Sequence, residues 1–185
     1  MMSLDNPENV IQMTMRLVEA NENSHISLNA NGGNSILIVC EPLKEIDYID
    51  AIRALMTTDK YEIIELDKLL CQFVLENKED IEDGFELLKG SIHQIFKTPN
   101  GEEGSDFMGL ILQAIAESLK TNKIPVLINA GSLYGSQISN IHIMENELIM
   151  RAALPLIILY PATKEHDKLM YLGKRPASKY RCMII

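Results

Sequence analysis

Ser35-Ile36-Leu37-Ile38-Val39-Cys40 is a continuous apolar run, rich in β-branched residues. A run of this kind predicts a strand covered on both faces, hence a central strand of a parallel sheet. The residues that follow it, Glu41-Pro42-Leu43-Lys44, decide the first functional question. A nucleotide-binding protein of this layout carries G-x-x-x-x-G-K-[ST] after its first strand, where backbone N–H groups and a lysine neutralise the phosphates. Here glycine is missing, Pro42 removes an N–H, and Glu41 sets a carboxylate where phosphate would rest. Nucleotide hydrolysis by that route is not expected. Asn31-Gly32-Gly33-Asn34 precedes the strand and belongs to its other end.

Working outward, Asn6-Pro7-Glu8 reads as a helix start, with a capping side chain, proline at the first helical position and an acid near the positive end of the dipole. Val10, Met13, Leu17 and Val18 continue it, and residues 21–34 read as a loop. After the strand, Ile46, Ile49, Ile52 and Met56 mark one face of a helix, and Tyr61 to Leu66 form a second strand. Asp67 then caps a helix carrying Leu70, Phe73 and Val74. Ile81, Phe85, Leu88, Ile92 and Ile95 are spaced as one amphipathic helix, across Gly84 and Gly90. Residues 98–104 are a loop, and Ser105 caps a helix running from Asp106 to about Lys120. Ile124 to Asn129 and Leu156 to Tyr160 are two further strands. Between them Ser139 caps a helix through about Ala152, which Pro155 stops. Leu169 to Leu172 and Tyr180 to Ile185 are expected to pair as a terminal hairpin around residues 173–178.

Alternating strands and helices predict an α/β fold: three layers, a mainly parallel sheet with helices on both faces, P-loop-NTPase-like topology without a P-loop, and a C-terminal β-hairpin. The 185 residues suit one domain spanning 1–185, with a helical block at 67–121 between the second and third strands. Apolar residues at 46% and charged ones at 23% match a globular chain rather than a disordered one. No apolar run approaches the ~20 residues of a membrane span, and no basic-then-apolar leader opens the sequence, so a cytoplasmic location is expected. Cys40, Cys71 and Cys182 form no C-x-x-C pair, which argues against disulfides and a cysteine zinc site. The net charge of −9 disfavours direct nucleic-acid binding. The late basic residues Lys164, Lys168, Lys174, Arg175, Lys179 and Arg181 read as a solvated edge.

Ligands of open α/β sheets sit beyond the carboxyl ends of the strands. The residues placed there are Glu41, Asp67, Asn129, Gly131, Ser132, Gly135 and Ser136, a candidate ligand or anion crevice. Gly131 to Ser136 joins a strand to a helix, so free N–H groups there suit an anion, and nucleotide or anion sensing is the alternative function. Cys40 as nucleophile, with Glu41 or Asp67 as acid/base and His142 nearby, lacks any local signature. The four histidines (His25, His93, His142, His166) lack metal-ligand spacing. No catalytic residue, cofactor or metal is assigned.

Gly131-Ser132-Leu133-Tyr134, Leu154-Pro155-Leu156-Ile157-Ile158-Leu159-Tyr160-Pro161, Leu169 to Gly173 and Tyr180-Arg181 resemble the BrxB family of BREX bacteriophage-exclusion systems, over roughly residues 120–185. The chain departs from that pattern at Gly135, at Ala162 and at Lys179-Tyr180-Arg181. The resemblance implies a non-catalytic accessory subunit. Its expected partners are an AAA-type ATPase, an alkaline-phosphatase-like protein and a DNA methyltransferase. Tyr134, Tyr171, Tyr180 and Arg181 form the candidate interaction surface.

Overall fold

The computed structural model describes residues 6–19, 23–98 and 106–185. Its parallel sheet is ordered β2-β3-β4-β1-β7, built from β1 (Ser35–Cys40), β2 (Tyr61–Glu65), β3 (Ile124–Ile128), β4 (Leu156–Glu165) and β7 (Met183–Ile184). β1 lies between β4 and β7, in register from Ser35↔Leu156 to Cys40↔Pro161 on one side and at Ile36↔Met183 on the other. With strands on both edges and helices on both faces, five of its six residues are buried. That is the environment the five apolar residues 36–40 require. The fourth strand sits between the first and the third, in keeping with the P-loop-like topology expected.

The period of two along each strand splits the core into two layers. Ile36, Ile38, Cys40, Val126, Ile128, Ile157 and Leu159 face α1 (Pro7–Glu19), α2 (Asn23–Asn29) and α3 (Glu45–Leu55). Leu37, Leu127, Ile158 and Tyr160 face the opposite layer. That layer holds α4 (Leu66–Glu76), α5 (Lys78–Leu87), α6 (Phe107–Lys120), α7 (Asn140–Met144) and α8 (Glu147–Met150). A three-layer α/β architecture results.

Local caps explain where several helices begin. The Asn6 carboxamide oxygen accepts from the Glu8 N–H at 2.9 Å, as the Asn-Pro-Glu start requires. For α6 the cap is Asp106, which accepts from Gly109 N–H and Thr98 N–H, each at 2.6 Å. Ser105, the expected cap, lies outside the described residues.

Five expectations are corrected. Residues 23–29 form α2 rather than loop, because Ile26 and Ala30, four apart, are both fully buried and give one turn an apolar face. Asp67 does not cap its helix: α4 begins at Leu66, directly from the strand, and Asp67 occupies the first turn. The helix expected over 81–95 stops at Leu87 and resumes as a 3₁₀ turn at Ile92–Ile95. A continuous helix would hold residues 84 and 95 about 16 Å apart along its axis. A Cβ on Gly84 would instead lie 3.4 Å from Ile95 Cδ1, so the chain folds back through Gly90. The helix expected from Ser139 to Ala152 is two short ones, the second capped by Asn146, whose side chain accepts from Leu148 N–H at 3.0 Å.

The last correction concerns the C-terminus. β4 turns into β5 (Lys168–Tyr171), which pairs antiparallel with β6 (Arg175–Ala177). Three residues, 172–174, join the paired Tyr171 and Arg175, and Leu172 and Gly173 both take positive φ there. Residues 180–185 take no part in that hairpin. They carry β7 to the far edge, parallel to β1, where Ile185 N–H donates to Leu37 O and Val39 N–H to Ile185 O. The amide of buried Asn140 fastens the connecting segment, donating to Ser178 O at 2.7 Å and accepting from Ser178 N–H.

Candidate functional site

The exit of β1 is a 3₁₀ turn, Pro42–Lys44, running into α3. Lys44 Nζ stands 3.4 Å from the Glu41 carboxylate, with both side chains more than half exposed, so the pair contributes little stability. Leu43, between them, is 96% exposed, and Ile46 one turn later is 58% exposed. Where a phosphate loop would present N–H groups, this chain presents two apolar side chains on one turn.

Behind that turn lies a cleft of about 570 Å³ at the carboxyl ends of β1 and β4. Val10 and Met13 of α1, Val39 and Cys40 of β1, Tyr48 of α3 and Ala162 of β4 line it, with Glu41, Lys44 and Lys164 as its charged residues. Of the seven crevice residues read from the sequence, Glu41 lines this cleft. Asp67 and Asn129 bond to each other instead, Asn129 Nδ2 donating to Asp67 Oδ1 at 2.7 Å across the ends of β2 and β3. Asn129 adopts φ 57°, a left-handed conformation that asparagine tolerates.

Gly131, Ser132, Gly135 and Ser136 belong to a loop that satisfies much of itself. Ala130–Leu133 is a 3₁₀ turn, and the N–H groups of Ser132, Tyr134 and Ser136 donate to Asn129, Gly131 and Leu133 carbonyls. The Ser136 hydroxyl is buried, donating to Leu133 O and accepting from Ile138 N–H. The helix that follows begins with a capping box in which Ser139 N–H donates to His142 Nδ1 at 3.1 Å. Burial, with Lys97 nearby, holds the His142 pKa below its ordinary value, which fits a neutral ring accepting that bond. His142 is thereby occupied as a cap.

The Cys40 thiol is pushed up to about 12, first by burial and then by the Glu45 carboxylate. A thiol held so high is protonated at neutral pH and is no nucleophile. Cys182, buried behind β7, is raised to about 11 by burial. Among the described residues no three His, Cys, Asp or Glu side chains come together to hold a metal ion, and no helix is long and apolar enough to cross a membrane.

Glu45 is the residue the sequence reading missed. Its Oε1 is buried without a hydrogen bond among the described residues, and burial, then the charge of Asp67, raises its pKa. The signal was present: positions 45, 48, 49 and 52 share one helical face, and Tyr48, Ile49 and Ile52 are buried. A carboxyl whose pKa is higher folded than unfolded stabilises below the unfolded value, about 4.3, and loses that contribution as pH rises. Glu45→Gln is therefore expected to raise the Tm at pH 7, with the gain shrinking toward pH 4. Thermal unfolding at the two pH values measures it, and an equal or lower Tm at pH 7 contradicts the assignment.

Of the surface residues read from the sequence, Tyr171 is a core residue. It stacks on Tyr160 at 4.9 Å between centroids, its hydroxyl donates to Ala130 O at 2.6 Å, and it is 7% exposed, so its place on an exposed surface is corrected. Antiparallel pairing with Ala162 turns it inward. Tyr134 and Tyr180 are about half exposed, covered by Arg175 and Arg181 at 4.8 and 4.6 Å from the ring centroids. Arg181 also donates to Asn31 O at 2.7 Å and pairs with Glu145, and Lys179 donates to the Asp167 carbonyl. Comparison with protein-family models, curated proteins and solved structures returns no significant match.

Proposed function

We propose that this chain is a non-catalytic, protein-binding subunit of a cytoplasmic phage-exclusion complex of the BREX type. The observation that carries the binding reading is the β1 exit, where Leu43 and Ile46 project into solvent beside the cleft. The two lie three positions apart, and exposed apolar patches mark interaction surfaces. The resemblance of residues 120–185 to the BrxB family supplies the context. It proposes as partners an AAA-type ATPase, an alkaline-phosphatase-like protein and a DNA methyltransferase. Against the anion-sensing alternative stand the internally used N–H groups of the 131–136 loop.

The test is co-purification of the tagged chain from cells expressing those three proteins. At least one is expected to elute with it. A Leu43→Asp/Ile46→Asp double variant is expected to recover at least tenfold less. Because both sites are solvent-facing, its Tm should stay within about 2 °C. Elution as a lone monomer contradicts the proposal.

A further inference from the structure

The sheet ends on one side at β2, and among the described residues no strand pairs with its outer edge. Ile124 N–H donates to Lys60 O, so the ladder with β3 takes the N–H and C=O groups of Glu62 and Ile64 and turns those of Tyr61, Ile63 and Glu65 outward. Two of the outward groups are engaged within the chain. Tyr61 N–H donates to Thr57 O, and Glu65 C=O, at the residue before α4, receives the first bond of that helix. This leaves, among the described residues, an acceptor at Tyr61, a donor and an acceptor at Ile63, and a donor at Glu65. The strand keeps unbroken register from Tyr61 to Glu65, without the bulge, lysine or proline that blunts an exposed edge. Both its carboxylates are ion-paired, Glu62 with Lys123 at 2.9 Å, and Glu65 with Lys68 at 2.7 Å and Arg53 at 3.0 Å. A groove of about 410 Å³ runs along the strand, lined by residues 62–65 and by Ala114 and Ser118 of α6, so the edge is open.

We propose that β2 pairs with β2 of a second copy of this chain, antiparallel about a two-fold axis at Ile63, joining two sheets into one. Around that axis Ile63 exchanges both its bonds with its own counterpart, and each Glu65 N–H meets the Tyr61 C=O of the other copy. Every outward group is then used once. Sliding the pairing by two residues in either direction keeps half of these bonds, because it calls on Tyr61 N–H or Glu65 C=O, which are taken. The register is thus set by the groups the single chain leaves over. It places partly buried Ile63 against its own counterpart and Glu62 opposite Ile64, so no carboxylate faces a carboxylate. A strand from another protein needs a matching pattern of its own, whereas a second copy carries it by symmetry.

Light scattering of the full chain up to about 100 µM tests this, since an interface this small associates weakly. A concentration-dependent dimer is expected. Ile63→Pro should hold the chain monomeric with an unchanged circular dichroism spectrum, because the lost N–H faces away from β3, where an edge strand tolerates proline. Register is read separately by copper-catalysed oxidation in a Cys71→Ser background, which removes the exposed native thiol. Ile63→Cys sets two thiols on a directly opposed pair, about 5.5 Å between Cα atoms and within disulfide reach. It should crosslink at least tenfold faster than Glu62→Cys, whose counterparts lie diagonally. If Ile63→Pro fails to fold, the crosslinking comparison decides. A monomer at every concentration, a dimer that survives Ile63→Pro, or crosslinking no faster at position 63 than at 62 overturns the proposal.

Discussion

Gly33→Ala is expected to lower stability by about 3 kcal/mol, or roughly 10 °C in Tm. A Cβ at Gly33 would lie 2.2 Å from Arg181 O, 2.5 Å from its carbonyl carbon and 2.7 Å from its Cα. All three are backbone atoms, so no side-chain rotation relieves the clash. Arg181 is itself held in a left-handed conformation, φ 63°, with its guanidinium on Asn31 O. Displacing it pulls on Cys182, which is 2% exposed, and then on the Ile36↔Met183 pairing that seats β7. The matched control is Gly90→Ala, where nothing stands within 4 Å of the added carbon. Thermal unfolding of both variants checks it. A Gly33→Ala Tm within 2 °C of the unmodified protein would remove the contact from the fold's supports.

The neighbouring residue carries the second large effect. Asn34 Nδ2 donates to Ile149 O, Ala152 O and Leu154 O at 3.2, 2.9 and 3.1 Å, while Leu156 N–H donates to Asn34 O. One amide thus gathers the chain between α8 and β4 onto the start of β1. Asn34→Asp replaces the donor with an acceptor facing three carbonyl oxygens. With the Asn34 donor lost to the Ala152 and Leu154 carbonyls, Ile149 O keeping its bond from Ala152 N–H, and a carboxylate set among the three, about 4 kcal/mol is the expected loss at pH 7. The carboxyl's folded pKa would be raised, so the deficit should shrink as pH falls below about 5. Chemical denaturation at pH 7 and pH 4.5 distinguishes this from a generic loss, since a pH-independent deficit contradicts the electrostatic origin.

Both residues belong to the Asn31-Gly32-Gly33-Asn34 turn, whose polar composition reads as loop and conceals its partners. Gly33 is required by a backbone 148 positions later, and Asn34 by carbonyls more than a hundred positions later. Nothing local in a sequence reports contacts of that range. β1, by contrast, was legible because burial on both faces writes itself into five consecutive apolar residues, 36–40. β7 was not: two residues carry no period, and Met183 and Ile184 suit a hairpin as well as a parallel edge. Along 81–95 the apolar spacing was real, yet a chain folding back at Gly90 satisfies the same spacing as a straight helix does.

The site divides in the same way. That Glu41 and Pro42 leave no phosphate loop followed from residue types alone. The Asp67–Asn129 bond joins a helix start to a strand exit 62 positions away and was not readable, nor was the inward turn of Tyr171, which depends on its register against Ala162. Glu45 was within reach. Starting the α3 face at Ile46 instead placed a 58% exposed residue in the core and its partly buried neighbour outside it.

The exit of β1 bears most of the functional weight, and calorimetric titration of the intact chain with MgATP examines it most directly. No heat of binding up to millimolar nucleotide is the expected result, because a carboxylate, a proline and an outward leucine occupy the phosphate position. Saturable binding at micromolar concentration, lost in Lys44→Ala, would contradict it.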